Sequence, residues 1–164
     1  MRKSSCICAM LLAMTLVCVS DLVAAETPGK ANELFQSGMG LIKEGKLNEG
    51  LGMLKQASEA EPTRADLHMN YGSMLFVIGA QIYQKGNAEG AAPIFQEAER
   101  QLLWATEMFT KKEEGTLKAQ CYYVLGDISL HVKQDKEKAK GFYQKALVCY
   151  PQHGGAIEAL KGIK

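Results

Sequence analysis

The chain has 164 residues, with 19 basic against 18 acidic side chains and a formal net charge of +1. That balance, with no basic stripe and no interleaving of aromatic and basic residues, argues against nucleic acid as a partner and against electrostatic attachment to a membrane surface. No phosphate-cradling glycine loop, haem-attachment CxxCH, HExxH or paired CxxC occurs, and the histidines are only His68, His131 and His153, so the motifs of common cofactor and metal enzymes are missing.

Residues 1–25 read as an export signal: Arg2 and Lys3, an uncharged run from Ser4 to Ser20, then Val23-Ala24-Ala25 with small residues suited to signal peptidase. Cleavage is expected after Ala25, which makes the mature chain periplasmic or secreted and leaves no membrane attachment. The alternative is an uncleaved anchor, disfavoured because the apolar run is shorter than the ~20 residues that span a bilayer. A lipid anchor fits less well, because Thr15-Leu16-Val17-Cys18 lacks a small residue before the cysteine. Loss of Arg2, Lys3 and Asp21 leaves a neutral chain, and Glu26 to Lys164 is long enough for one ordinary domain. Residues 26–30, with Thr27-Pro28-Gly29-Lys30, form a short leader. Cys6, Cys8 and Cys18 depart with the signal, so only Cys121 and Cys149 remain.

The first helix is expected over about Ala31 to Glu44, with Leu34, Ser37, Gly38 and Leu41 on one stripe and Gly45 as a left-handed cap. A second, Lys46 to Glu61, carries Gly50, Leu54 and Ala57 and stops at Pro62. Thr63 stands where it can cap the third helix by accepting a backbone hydrogen bond. That helix, about Ala65 to Gln84, has His68, Tyr71, Gly72 and Leu75 on its inner stripe, and its run from Met74 to Ile78 is apolar all round, which requires more than one covering neighbour.

In the fourth helix Ala91, Phe95, Ala98, Leu102, Ala105 and Phe109 recur at steps of four and three. Pro93 fits if this helix begins near Gly90, where its missing donor is not needed; otherwise it kinks the helix. A charged turn, Lys111 to Gly115, leads to a fifth helix with Tyr122, Leu125, Gly126 and Ser129 on one side. After the polar turn Lys133-Gln134-Asp135, the sixth sets Ala139, Tyr143 and Ala146 in small-large-small order before Pro151 stops it. Gly154-Gly155 opens a short last helix with Ala156, Ile157, Leu160 and Ile163 on one side.

These stripes, and the 34-residue interval from Gly38 to Gly72, resemble the tetratricopeptide repeat (TPR), a helix-turn-helix unit with a period of about 34 residues. Ser37 and Gly50 depart from the family pattern, which usually has a large apolar residue and an alanine there. Gly38 to Ala57 spans 19 residues and Gly72 to Ala98 spans 26; the excess is about two helical turns, which lengthens the middle pair without breaking its register. The resemblance implies an all-α fold for residues 31–164: a short α-solenoid of three TPR-like helix pairs (about 31–64, 65–110 and 116–151, the middle pair lengthened) and a C-terminal capping helix, 154–164, that hides the apolar end of the stack.

What the resemblance implies about function is a protein interaction module, an adaptor or scaffold without cofactor or catalytic centre. In this family the first helix of each pair lines a concave groove. The residues on that stripe are Phe35, Met39 and Ile42, then Met69, Asn70, Ser73, Phe76 and Val77, then Tyr123, Asp127 and Leu130. They are mostly apolar and include adaptable methionines, which suits an amphipathic helix or an extended apolar peptide. Family members that clamp a C-terminal carboxylate use lysines, arginines and asparagines there; only Asn32 and Asn70 stand at or beside these positions, which argues against that ligand class. A short solenoid can also fill such a groove with its own leader or its lengthened pair.

Two other functions remain open: an assembly subunit of an envelope or secretion complex that joins through the solenoid ends, and a small metal- or thiol-dependent enzyme. The latter has only Asp127, His131 and Asp135 in a row on one helix, short of the four ligands of a structural zinc site. Trp104, one step off the main stripe, reads as core between repeats, with a binding anchor as the alternative, and His68 as a packing histidine. Cys121 and Cys149 fall at adjoining ends of one helical hairpin and can meet the short Cα separation of a disulfide; otherwise they are two small buried hydrophobes. Gly72 and Gly126 mark close helix approaches, whereas Gly115 falls in a turn that should accept a side chain.

Overall fold

The computed structural model describes residues 29–111 and 114–163. The export signal, its cleavage point, Cys6, Cys8, Cys18 and the leader up to Pro28 lie outside the described residues. Within them the chain forms α1 (Lys30–Lys43), α2 (Leu47–Ala60), α3 (Ala65–Gln84), α4 (Ala88–Met108), α5 (Gly115–Asp127), which runs on into a π-turn at Ile128–Val132, α6 (Lys136–Cys149) and α7 (Gly154–Gly162). The helices pack as antiparallel pairs, α1 on α2, α3 on α4 and α5 on α6; α2 meets α3, α4 meets α5, and α7 closes against α6.

The turns explain the pairing. Gly45 and Gly86 have φ of +82° and +84°. At the first, Lys46 N–H reaches back to the Leu41 carbonyl (2.9 Å), and at the second Asn87 N–H reaches the Ile82 carbonyl (3.3 Å). This is the glycine-dependent ending that satisfies the last carbonyls of a helix and reverses the chain. In the third pair Gln134, at φ 56°, takes the glycine's place. Here the π-turn supplies the extra residue, with Lys133 N–H on the Ile128 carbonyl (3.2 Å) and Asp135 N–H on that of Ser129 (2.9 Å).

Three local expectations are corrected. Thr63 does not cap α3: Arg64 occupies that position without a side-chain cap. Its guanidinium instead ties the turn together, bonded to Asp66 (3.0 Å), Glu61 (3.2 Å) and, across to α1, Asn32 (2.8 Å). α4 starts two residues before Gly90, because the Asn87 carboxamide oxygen accepts from Gly90 N–H (2.8 Å) and caps the helix there. Pro93 therefore sits in the second turn, on the exposed side along with Glu89, whose carbonyl loses its helical donor at a position open to solvent. Gly115 is not in a turn either; it is the first residue of α5, and a Cβ there would lie 2.8 Å from the Cys149 carbonyl oxygen.

The core follows the repeated stripes. Ala91, Phe95, Ala98, Leu102, Ala105 and Phe109 are all at most 4% exposed, and Ala139, Tyr143 and Ala146 are fully buried. Leu54, Leu102 and Leu125, one from each pair, are likewise enclosed; each such side chain stabilises the fold by roughly 1.5–3 kcal/mol. At Gly72 an added Cβ would meet Leu102 Cγ at 2.9 Å, and at Gly126 it would run into the Tyr143 ring, so both glycines stand where one helix seats a side chain of its partner. The apolar run of α3 is covered at Leu75 and Ile78 but not at Val77.

Candidate functional site

The first helices of the three pairs carry the expected groove residues. Phe35, Met39 and Ile42 on α1, Met69, Asn70, Ser73 and Phe76 on α3, and Tyr123, Asp127 and Leu130 along α5 and its π-turn are all half-buried, while Val77 is 43% exposed. Phe35, Met39, Ile42, Met69, Phe76 and Tyr123 rest with their inner sides on the main core. Phe76 tilts against Phe95 with ring centroids 6.0 Å apart. The Asn70 carboxamide donates to the Asp66 carbonyl of its own helix (2.6 Å), and that of Asn32 accepts from Arg64, so both asparagines are already engaged.

At the C-terminal end Tyr123, Asp127 and Leu130 come together with His131, Tyr143 and the inner side of α7 around a cleft of about 460 Å³. The Tyr143 hydroxyl donates to Asp127 Oδ1 (2.7 Å). Burial pushes the Asp127 carboxyl above its ordinary value, against the hydrogen bonds from Tyr143 and Tyr123, and burial followed by the Asp127 carboxylate raises the Tyr143 hydroxyl. The Tyr123 ring lies between Tyr143 (5.8 Å) and His153 (5.1 Å). His153 also caps α7, accepting from Ala156 N–H (3.2 Å). Among the described residues no three histidine, cysteine or acidic side chains converge as a metal site would need, and Asp127 points its carboxylate at Tyr143.

Cys121 is fully buried and Cys149 half-buried, and both are unbridged. Burial pushes the Cys121 thiol up to about 12, with a smaller push from the neighbouring Cys149. His68 packs as expected, 8% exposed, its Nδ1 2.6 Å from Gln101 Oε1 and its Nε2 3.0 Å from the Pro62 carbonyl.

Trp104 corrects the sequence reading. It is 44% exposed and donates its indole N–H to the Pro62 carbonyl (3.2 Å), with its ring 5.9 Å from His68. One step off the core stripe is enough to carry it from between the repeats to the rim of a second cleft, of about 320 Å³, bounded by α2, α3 and α4. Sequence reasoning missed that cleft; Trp104's offset from the stripe was its one signal.

Solved structures are similar to this chain over most of its length. One is the first TPR of Spaghetti (RPAP3) bound to the HSP90 peptide SRMEEVD, with a TM-score of 0.61 at 21% identity, covering 82% of this chain and 90% of that one. The chain has the tetratricopeptide-repeat fold. The second, the NMR structure of the first TPR domain of human RPAP3, gives a TM-score of 0.53 at 19% identity over 83% of this chain and 91% of the other. No protein-family model matches this chain, and no curated protein matches it.

Proposed function

We propose that this TPR chain is an exported bacterial adaptor that holds a protein or peptide segment in the groove along α1, α3 and α5. The observation that carries this reading is the row of half-buried apolar side chains on the first helices, with Val77 standing 43% exposed next to Phe76 in α3. A similar TPR domain is bound to the peptide SRMEEVD, whose three carboxylate side chains favour basic contacts. Here the two asparagines are engaged within the fold, and Asp127 adds a half-buried carboxylate, so the favoured occupant is apolar rather than acidic. Met39 and Met69 adapt to varied shapes, as a groove for an amphipathic helix or extended apolar strand requires. The charged start, uncharged run and Val23-Ala24-Ala25 support action in the periplasm or beyond the cell.

The test is a photo-crosslinking residue at Val77 in the full chain, expressed in a bacterium with its own signal. A discrete envelope-protein adduct is expected there and not with the same residue at Val148, which is 83% exposed on α6. Identical adducts at both positions, or none at Val77 in folded protein, remove the groove from function. N-terminal sequencing is expected to begin at Glu26; an intact Met1 in an envelope fraction overturns the export reading in favour of an anchor.

A further inference from the structure

The second cleft lies on the face of α3 opposite Val77 and owes nothing to the groove. Its floor is Tyr71, 6% exposed, whose ring packs into the core while its hydroxyl lines the cleft. Among the described residues that hydroxyl has no hydrogen-bond partner, yet it is not sealed from solvent, so it opens into the cleft. Its polar neighbours are already engaged within the fold. Ser58 Oγ donates to the Lys55 carbonyl (2.8 Å), Gln101 Nε2 donates to Glu97 (2.7 Å), and both ring nitrogens of His68 face oxygens. A hydroxyl reached by solvent and bonded to nothing within the fold is free to donate to, or accept from, a ligand that enters the cleft.

The wall is Trp104. Its N–H is fixed on the Pro62 carbonyl, so the indole is held in place while almost half of it stays open. An aromatic surface fixed in this way binds with little loss of side-chain freedom. The rim carries one charge of each sign on either side: Lys55 with Glu59 on α2, loosely paired at 3.7 Å, and Arg100 with Glu97 on α4, paired at 2.6 Å. A simple anion would face two carboxylates and a simple cation two positive groups. A ligand carrying both charges a few bonds apart meets its complement on each wall, and a volume of about 320 Å³ is at the small end of ligand pockets.

We propose that this cleft binds a free α-amino acid with an apolar side chain, its ammonium and carboxylate between the α2 and α4 charge pairs, its side chain against Trp104, and a hydrogen bond to the Tyr71 hydroxyl. Trp104 is the only tryptophan in the chain, so its fluorescence reports the cleft directly. Titration of the full chain with leucine is expected to give a saturable change in emission, with calorimetry giving the same midpoint. Glycine, without a side chain, should bind more weakly, and N-acetyl-leucine amide, with neither charge, weaker still. Tyr71→Phe keeps the ring and removes the oxygen, and is expected to weaken leucine binding roughly three- to tenfold, as for one hydrogen bond. Glu59→Gln, at a mostly exposed position, is expected to weaken binding with no change in melting temperature, which separates the site from the fold. The proposal is overturned if no amino acid at millimolar concentration changes the emission or gives heat. It is equally overturned if the blocked amide binds as well as leucine, or if folded Tyr71→Phe and Glu59→Gln both bind like the wild type.

Discussion

Gly38 and Gly50 meet backbone to backbone where α1 crosses α2. A Cβ on Gly50 would lie 2.6 Å from the Gly38 carbonyl oxygen, and one on Gly38 would lie 2.9 Å from that of Gly50. The departure from the alanine usual in this repeat is therefore a closer helix crossing, in which both partners have given up the side chain. The other pairs seat a glycine of the first helix against a side chain of the second, Gly72 against Leu102 and Gly126 against Tyr143.

It follows that Gly50→Ala, the change that restores the repeat pattern, destabilises the protein. The overpacking cost is about 1–3 kcal/mol and outweighs the gain of up to ~1 kcal/mol from replacing glycine in a helix. Urea unfolding measures it; a variant at least as stable as the wild type would show that the crossing widens freely.

Glycines inside the same helices separate cleanly by what a side chain would meet. Gly52→Ala faces open space on α2 and is expected to stabilise by up to ~1 kcal/mol. Gly115→Ala must push the Cys149 carbonyl away and should cost about 1 kcal/mol or more. Gly72→Leu and Gly126→Leu are expected to unfold their pairs. Equal melting temperatures across the four variants contradict the packing described above.

Asp127 gives a pH dependence of definite sign. Its carboxyl is raised by burial, so the folded state binds its proton more tightly than the unfolded chain does. Stability from this group is fully present below the ordinary aspartate value and is lost as pH rises through the raised one. Asp127→Asn keeps an oxygen to accept from Tyr143 and removes the charge. Denaturation across pH should find the variant and the wild type alike in acid, with the variant gaining relative stability toward neutral pH. A constant difference at all pH values removes burial as the cause.

The two cysteines should differ in reactivity. In reduced, folded protein Cys149 is expected to alkylate first, because Cys121 is enclosed and its thiol is pushed up to about 12, which leaves almost no thiolate near neutral pH. Cys121 and Cys149 can form a disulfide, and if they are bridged in protein recovered from an oxidising compartment, both positions resist labelling until reduced. Their bridge would stabilise by roughly 3–4 kcal/mol in the chain-entropy model. Complete labelling of both without reductant, read by mass spectrometry, excludes the bridge.

Much of this protein is written locally in its sequence. The steps of four and three from Ala91 to Phe109, the lengthened middle pair and the left-handed ending at Gly45 depend on helical periodicity and on glycine's tolerance of positive φ, which act within a turn or two of chain. What only the tertiary structure decided involves residues far apart in sequence. Trp104 is open because the Pro62 carbonyl holds it at a rim, Gly115 is confined by Cys149, and Tyr71 lines a cleft walled by α2 and α4. Each depends on the distance between two helices, set to within an ångström by how whole faces pack, and a stripe on one helix carries no record of that distance.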